Sequence, residues 1–254
     1  MTTAGRPLPF HSLRETWGRG DSALGLACVI PSAFSAEIIA DTRPDFLMID
    51  RQHGPFGEDV MVAMLQAVSR TRVCPIVRVP PGDEFAIGFA LDAGAGGVVV
   101  PMVNSGLDAE RAAGACRYPP RGNRSFGPLR ASMLLADPPD EVNHQVVCIV
   151  MIETVAGVEA AEEICACPGV DGVWVGEADL AIDMGFRPGE GGPAVADAVA
   201  AVHRACLAND IVSVALASQS GEALQRRVDD GYRMIIVGTD YQFLRAGASK
   251  ALNR

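Results

Sequence analysis

Eight short runs rich in Val, Ile and Leu recur along the chain, each followed by a mostly amphipathic segment, and this alternation restricts the fold more than any other feature. The runs are Leu24–Ile30, Asp45–Asp50, Cys74–Pro80, Gly97–Val103, Val146–Glu153, Gly172–Gly176, Ile211–Leu216 and Met234–Asp240. They are largely apolar on both faces, as strands of a parallel sheet covered on both sides must be. The segments between them read as helices: Ser35–Asp41, Gly57–Arg70, Glu84–Ala93, Leu107–Arg117, Thr154–Ala166, Val195–Ala208, Gly221–Asp230 and Tyr241–Leu252. Ser105 is placed to cap the fourth and Ser220 the seventh. Eight strand–helix units in 254 residues predict a single-domain (β/α)8 TIM barrel spanning residues 1–254. A doubly wound sheet of that many strands would be wide, and no Gly-x-Gly-x-x-Gly follows the first strand to bind a dinucleotide. Residues 1–20 read as a short N-terminal extension. The last helix, about 241–252, carries Phe243, Leu244 and Leu252, which either close the barrel or meet another subunit.

Charge and cysteine usage exclude several classes of function. A net charge of −10 repels phosphate backbones, so a nucleic-acid partner is not expected. Seven scattered cysteines, several inside apolar runs, point to free buried thiols in a reducing compartment. Cys165-Ala166-Cys167 lacks the spacing and the second pair of a zinc knuckle. The segment Met1–Trp17 has no signal-peptide core and no run is long enough to cross a bilayer, so the expected location is cytoplasmic, with no membrane contact. Gly94–Gly97 reads as a tight helix-to-strand turn rather than a phosphate cradle. One connection, from Tyr118 to Asn143, is long and rich in Pro, Gly and Arg, as functional or interface loops are.

In a barrel of this kind active sites form at the C-terminal ends of the strands. The polar residues there are Asp50, Arg51, Gln52 and His53 after strand two, Arg78 on strand three, Glu153 after strand five, Gly176-Glu177-Ala178-Asp179 after strand six and Asp240 after strand eight. A carboxylate where a buried strand meets solvent is costly without a cation partner. Glu153 and Asp179, on consecutive strands, therefore suggest a divalent-metal site. Two oxygen ligands leave positions for water and substrate, which suits Mg2+ or Mn2+, with Co2+ a further candidate. Asp179 alone could equally be a helix N-terminal carboxylate stabilised by the helix dipole. Arg78, inside an apolar strand, needs an anion or carbonyl: either a substrate or an ion pair with a carboxylate such as Asp50. His53, in a Gly-containing turn, is a loop histidine by itself and a candidate general base beside a metal.

These residues in this order resemble the HpcH/HpaI aldolase family of metal-dependent 2-oxo-acid aldolases. The matching segments are Phe46-Leu-Met-Ile-Asp-Arg-Gln-His-Gly54, Val77-Arg-Val-Pro80, Leu91-Asp-Ala-Gly-Ala95, Val100-Pro-Met-Val-Asn104, Arg117-Tyr-Pro-Pro120, Ile152-Glu153 and Val170-Asp-Gly-Val-Trp-Val-Gly-Glu-Ala-Asp-Leu180. The resemblance covers roughly Leu24 to Ala251. It implies that Glu153 and Asp179 bind the metal and that Arg78 contacts the substrate keto oxygen. The backbone around Gly176, Glu177, Ala178 and Asp179 would hold the substrate carboxylate, and Leu216 would line the pocket. His53 with Asp92 would form a proton-transfer dyad, and Asp50 would order water at the metal. Asp92 falls near the end of a helix, which in a simple barrel points away from the mouth, so it would need a displaced helix or a route across a subunit boundary. The resemblance also implies a homo-hexamer with the last helix exchanged between subunits. This chain departs from the family at Gln52, often Glu; at Glu177, often Pro; at Met151, often Gln; and at Ser125, often Gly after an Arg. None of these removes a metal ligand.

An aldolase must stabilise a carbanion next to a carbonyl. A lysine Schiff base is one solution, but the single lysine, Lys250, lies four residues from the C-terminus. A Lewis acid is the other. The expected reaction joins a small-molecule 2-oxo acid, such as pyruvate or hydroxypyruvate, to an aldehyde to give a 4-hydroxy-2-oxo acid, and reverses it. Alternatives are a 2-oxo-acid decarboxylase, an acyl-CoA ester lyase using Arg121, Arg124 and Arg130 as a phosphate groove, and a non-catalytic barrel that holds a metal or an anion.

Overall fold

Apolar strands with no polar face can be hidden only if helices cover one side of the sheet and the sheet itself encloses the other. In the computed structural model, which describes residues 9–134, 139–217 and 221–253, they do so as a closed parallel barrel. The strands are β1 (Ala23–Cys28), β2 (Phe46–Asp50), β3 (Cys74–Arg78), β4 (Gly97–Val100), β5 (Val147–Ile152), β6 (Gly172–Val175), β7 (Val212–Leu216) and β8 (Met234–Thr239). Each pairs with the next, and β8 returns to β1 through Ala23–Met234 and Leu24–Ile235. β2, β4, β5 and β6 are buried along their whole length. Gly25 in β1 lies against the Phe46 ring of β2, which fills the space any side chain there would take.

The helices are α1 (Leu13–Gly18), α2 (Ala33–Asp41), α3 (Glu58–Val68), α4 (Glu84–Asp92), α5 (Gly106–Cys116), α6 (Pro139–Gln145), α7 (Val155–Glu159), α8 (Ala161–Cys165), α9 (Glu177–Asp183), α10 (Gly192–Ala208), α11 (Gly221–Asp229) and α12 (Asp240–Ala251). Ser105 caps α5 by accepting from the Asp108 amide. Ser220 lies outside the described residues, as do 1–8 of the N-terminal extension. Among the described residues no helix is long and apolar enough to cross a membrane. The seven cysteines are free, and all but Cys167 are buried.

Three features depart from the sequence reading. The helix expected over 154–166 is broken at Ala160 (φ −90°, ψ 8°) into α7 and α8. Its first turn docks closely on the segment that follows β4: a Cβ at Gly157 would come within 2.9 Å of the Val103 carbonyl oxygen. A seven-residue helix, α9, follows β6 at once, before α10, and carries Glu177 and Asp179. The described part of the N-terminal extension, residues 9–20, closes the far end of the barrel. The Trp17 indole donates to the Arg233 carbonyl at 2.8 Å and Arg14 to the Val146 carbonyl at 2.9 Å. Arg14 also pairs with Asp171 at 2.6 Å. All three acceptors immediately precede a strand, so α1 sits under the N-terminal ends and leaves the C-terminal mouth open.

Candidate active site

β2 and β3 set the first wall of the mouth. Their register places Asp50 directly beside Arg78. Asp50 is 2% exposed, and its Oδ1 accepts from Arg78 Nε at 2.9 Å and from the Gln52 and His53 amides at 3.1 and 3.2 Å. Its Oδ2 accepts from the second guanidinium edge of Arg78. A buried carboxylate satisfied by four donors is a rigid anchor. It fixes the guanidinium and the turn that carries His53. The Arg78 guanidinium also stands 5.4 Å from the Trp174 ring centre, on β6. Its remaining nitrogen, Nη1, lies 4.0 Å from the Met151 sulfur, a weak acceptor, and is the edge left for a stronger one.

β5 and β6 set the opposite wall. Glu153, just past β5, is 1% exposed. Its Oε2 accepts from the Met102 amide at 2.9 Å. Met102 has φ +60°, a left-handed conformation that aims its N–H at the carboxylate. Gly176, at the start of α9, provides the room: a Cβ there would lie 2.5 Å from Glu153 Oε1. Burial pushes the Glu153 carboxyl above the usual carboxylate range; the Met102 N–H opposes this, Asp179 adds to it, and Arg78 and His53 oppose it.

One cavity of about 760 Å³ is lined by His53, Arg78, Glu153, Asp179, Gly176, Glu177, Ala178 and Leu216. The structure thus gathers these eight of the residues singled out in the sequence around one cavity. Asp50 stands behind Arg78. Asp92 does not line the cavity of its own chain; it is 30% exposed at the end of α4 and pairs with Arg124 at 2.5 Å. Asp240, at the C-terminal end of β8, does not line the cavity either. It is 4% exposed and accepts from the Val29 and Ile30 amides at 3.0 and 3.1 Å, which seals the β8–β1 seam. The phosphate groove imagined from Arg121, Arg124 and Arg130 does not form, because Arg124 turns inward onto Asp92 and Arg130 binds Ser69 Oγ at 3.0 Å.

Three features around the cavity escaped the sequence reading: the Met102 amide on Glu153, the Trp174 ring beside Arg78, and Arg227, which reaches the cavity from α11. Trp174 was a signal in plain view, a large ring in a strand otherwise made of Gly and Val.

Glu153 and Asp179 fit a hard divalent cation. A buried carboxylate whose proton affinity is raised by burial and by a second carboxylate is what a cation relieves. Among the described residues no group of three or more His, Cys, Asp or Glu is assembled as a metal cage. The two carboxylates that would hold such a cation both line the cavity, which is open beside them.

A family model described as HpcH/HpaI aldolase/citrate lyase matches residues 30–246. The chain belongs to this family. A hydroxypyruvate/pyruvate aldolase of Roseovarius nubinhibens is 34% identical, over 97% of each chain. A 4-hydroxy-2-oxovalerate aldolase of Rhodococcus jostii is 37% identical, over 75% of each chain. Among solved structures, an HpcH/HpaI aldolase/citrate lyase family protein from Burkholderia cenocepacia superposes with a TM-score of 0.85 at 32% identity, covering 92% of this chain and 94% of that one. The resemblance noted in the sequence motifs is a family relationship, and the (β/α)8 barrel is the HpcH/HpaI scaffold.

Proposed function

We propose that the protein is a divalent-metal-dependent aldolase that joins pyruvate or hydroxypyruvate to an aldehyde, giving a 4-hydroxy-2-oxo acid, and cleaves such products in reverse. The observation that carries this reading is the meeting of Glu153, which is buried, with Arg78 and the more exposed Asp179 in one cavity. The names of the R. nubinhibens and Rh. jostii relatives support the same chemistry.

Glu153 and Asp179 would hold the cation, which supplies Lewis acidity to the keto group and to the enolate charge. Arg78, fixed by Asp50 and the Trp174 ring, presents Nη1 to the keto oxygen, so a donor aimed at the developing oxyanion is in place before reaction. The amides of 176–179 receive the donor carboxylate. His53, directly or through one water, takes a proton from the carbon next to the ketone. That carbon then bonds to the aldehyde carbon, and the new alkoxide takes the proton back.

Asp92 supports His53 only from a second copy of the chain. Two groups of exposed apolar residues favour such an assembly. Phe85, Phe126, Leu129 and Met133 are exposed on and near the connections flanking Asp92 and Arg124, and Tyr241, Leu244 and Leu252 are exposed along and just beyond α12. A homo-oligomer, a hexamer by family resemblance, follows from this reading.

The test is a metal-stripped preparation given Mg2+, Mn2+ or Co2+ one at a time, with donor and aldehyde, and product identified by NMR. A carbon–carbon bonded 4-hydroxy-2-oxo acid should form only with metal. Product formation at full rate in chelator would refute the reading.

A further inference from the structure

The cavity holds a second arginine with no part in the mechanism above. Arg227 reaches it from α11, a helix with no buried residue. The charged side chains lining the cavity are Glu153, Asp179, Glu177, Arg78 and Arg227, with His53. If Glu153 and Asp179 hold a cation and Arg78 is bound on two edges by Asp50, the pair that remains is Arg227 and Glu177.

That pair is loose. The closest nitrogen–oxygen distance is 4.0 Å, and the side chains are 33% and 54% exposed. An ion pair of this length between partly exposed groups is weakly held and screened by salt. The guanidinium is nevertheless oriented, because it stands 5.2 Å from the Tyr232 ring centre. Glu177 can swing to solvent at little cost, since it sits at the rim on the first turn of α9. A 2-oxo acid of three carbons fills a small part of about 760 Å³. The remaining space runs from the cation site to Arg227.

We propose that Arg227 determines acceptor specificity by releasing Glu177 and binding an anionic group at the far end of the aldehyde. This rests on the aldolase reading and assigns what that reading leaves open, the class of acceptor. Arg227 acts on binding of the acceptor tail. Glu177 opposes it by competing for the same guanidinium. The anionic tail is a carboxylate or a phosphate.

The experiment uses the metal-loaded protein with pyruvate and two matched pairs of acceptors: 5-oxopentanoate against pentanal, and glycolaldehyde phosphate against glycolaldehyde. The readout is the ratio of kcat/KM for the charged acceptor to that for its neutral partner, taken within each variant so that general damage cancels. Arg227→Met should lower this ratio at least about tenfold in one of the pairs, which also identifies the tail, and Arg227→Lys should keep most of it. Glu177→Gln should move it the other way, a sign that a merely structural role would not produce. A ratio within about twofold of the unsubstituted protein in both pairs of Arg227→Met would overturn the proposal. Exchange of the pyruvate methyl protons in deuterated water separates the two claims. Exchange with an unchanged ratio removes only the role of Arg227. Its absence from the unsubstituted protein removes the aldolase reading itself.

Discussion

Replacing Gly176 with alanine attacks the metal site without altering either carboxylate. The backbone at Gly176 has φ −80°, so alanine introduces no left-handed strain. The damage comes from contact. The new methyl would lie 2.5 Å from Glu153 Oε1, 2.7 Å from its Cγ and 3.0 Å from its Cδ. Ordinary contact begins near 3.4 Å, so the carboxylate must retreat by about 0.9 Å at the oxygen. It is 1% exposed and tied to the Met102 amide at 2.9 Å, so the one direction free to it is into the cavity, away from the place it now holds. Breaking that bond orphans a buried acceptor, about 1–3 kcal/mol, while keeping it forces β5 and α9 apart at a similar cost. Metal ligands tolerate displacements of about 0.2 Å. Affinity for Mn2+ should therefore fall at least ~10–100-fold, the range seen when the surroundings of a ligand are disturbed. Calorimetric titration of the apo-protein with Mn2+ measures this directly, and melting with and without the ion gives a second reading. At a hundredfold excess over its Kd the ion should add about 2.7 kcal/mol to the unsubstituted protein and far less to the variant. Unchanged Mn2+ affinity and an unchanged melting increment in Gly176→Ala would refute the placement of the cation against Glu153.

Other outcomes follow from the same geometry. Glu153→Gln should abolish metal binding yet stabilise the metal-free protein at neutral pH. The raised affinity of folded Glu153 for its proton means that stability is present below the ordinary carboxylate range, about pH 4, and is lost as pH rises through the higher folded value. The melting difference between variant and parent should thus be near zero in acid and grow towards pH 7; a variant less stable throughout would contradict this. Arg78→Lys keeps the charge but cannot face Asp50 with two edges and offer a third, so kcat should fall about 10²–10³-fold, measured in steady state with saturating metal. Ser105→Ala removes the side-chain acceptor for the Asp108 amide and should cost about 1 kcal/mol in denaturant unfolding. Borohydride added during turnover should leave no donor adduct on Lys250, as peptide mass mapping would check.

The barrel was legible because its signal is compositional: a parallel strand buried on both faces needs a continuous apolar run, and Val147–Ile152 is one. The strands stop sooner than the apolar runs where the chain turns its amides elsewhere, as Val29 and Ile30 do towards Asp240. Glu153 stood out in the sequence because a carboxylate just past a buried strand has few structural explanations, whereas Asp179, in the first turn of α9, and Arg78, paired with Asp50, also have structural ones. Helix α9 was missed because seven residues give less than two turns of periodicity, although Gly185 at φ +85° marks its stop. The Met102 amide was invisible, since every residue has an N–H and only the backbone torsion shows where this one points. Arg227 was hidden by sequence distance from Glu177 and by a helix with no buried face to draw attention to it. The part expected of Asp92 rested on family resemblance alone, and within one chain its carboxylate pairs with Arg124.

The most direct measurement is deuterium incorporation into the methyl group of pyruvate, with no aldehyde present, by the metal-stripped protein before and after addition of Mg2+ or Mn2+. Incorporation should be negligible in chelator, return with either ion, and stay absent in Glu153→Gln and Asp179→Asn at the same ion concentration. Equal incorporation with and without metal, or full recovery in either variant, would contradict a cation held by these two carboxylates as the source of the enolate.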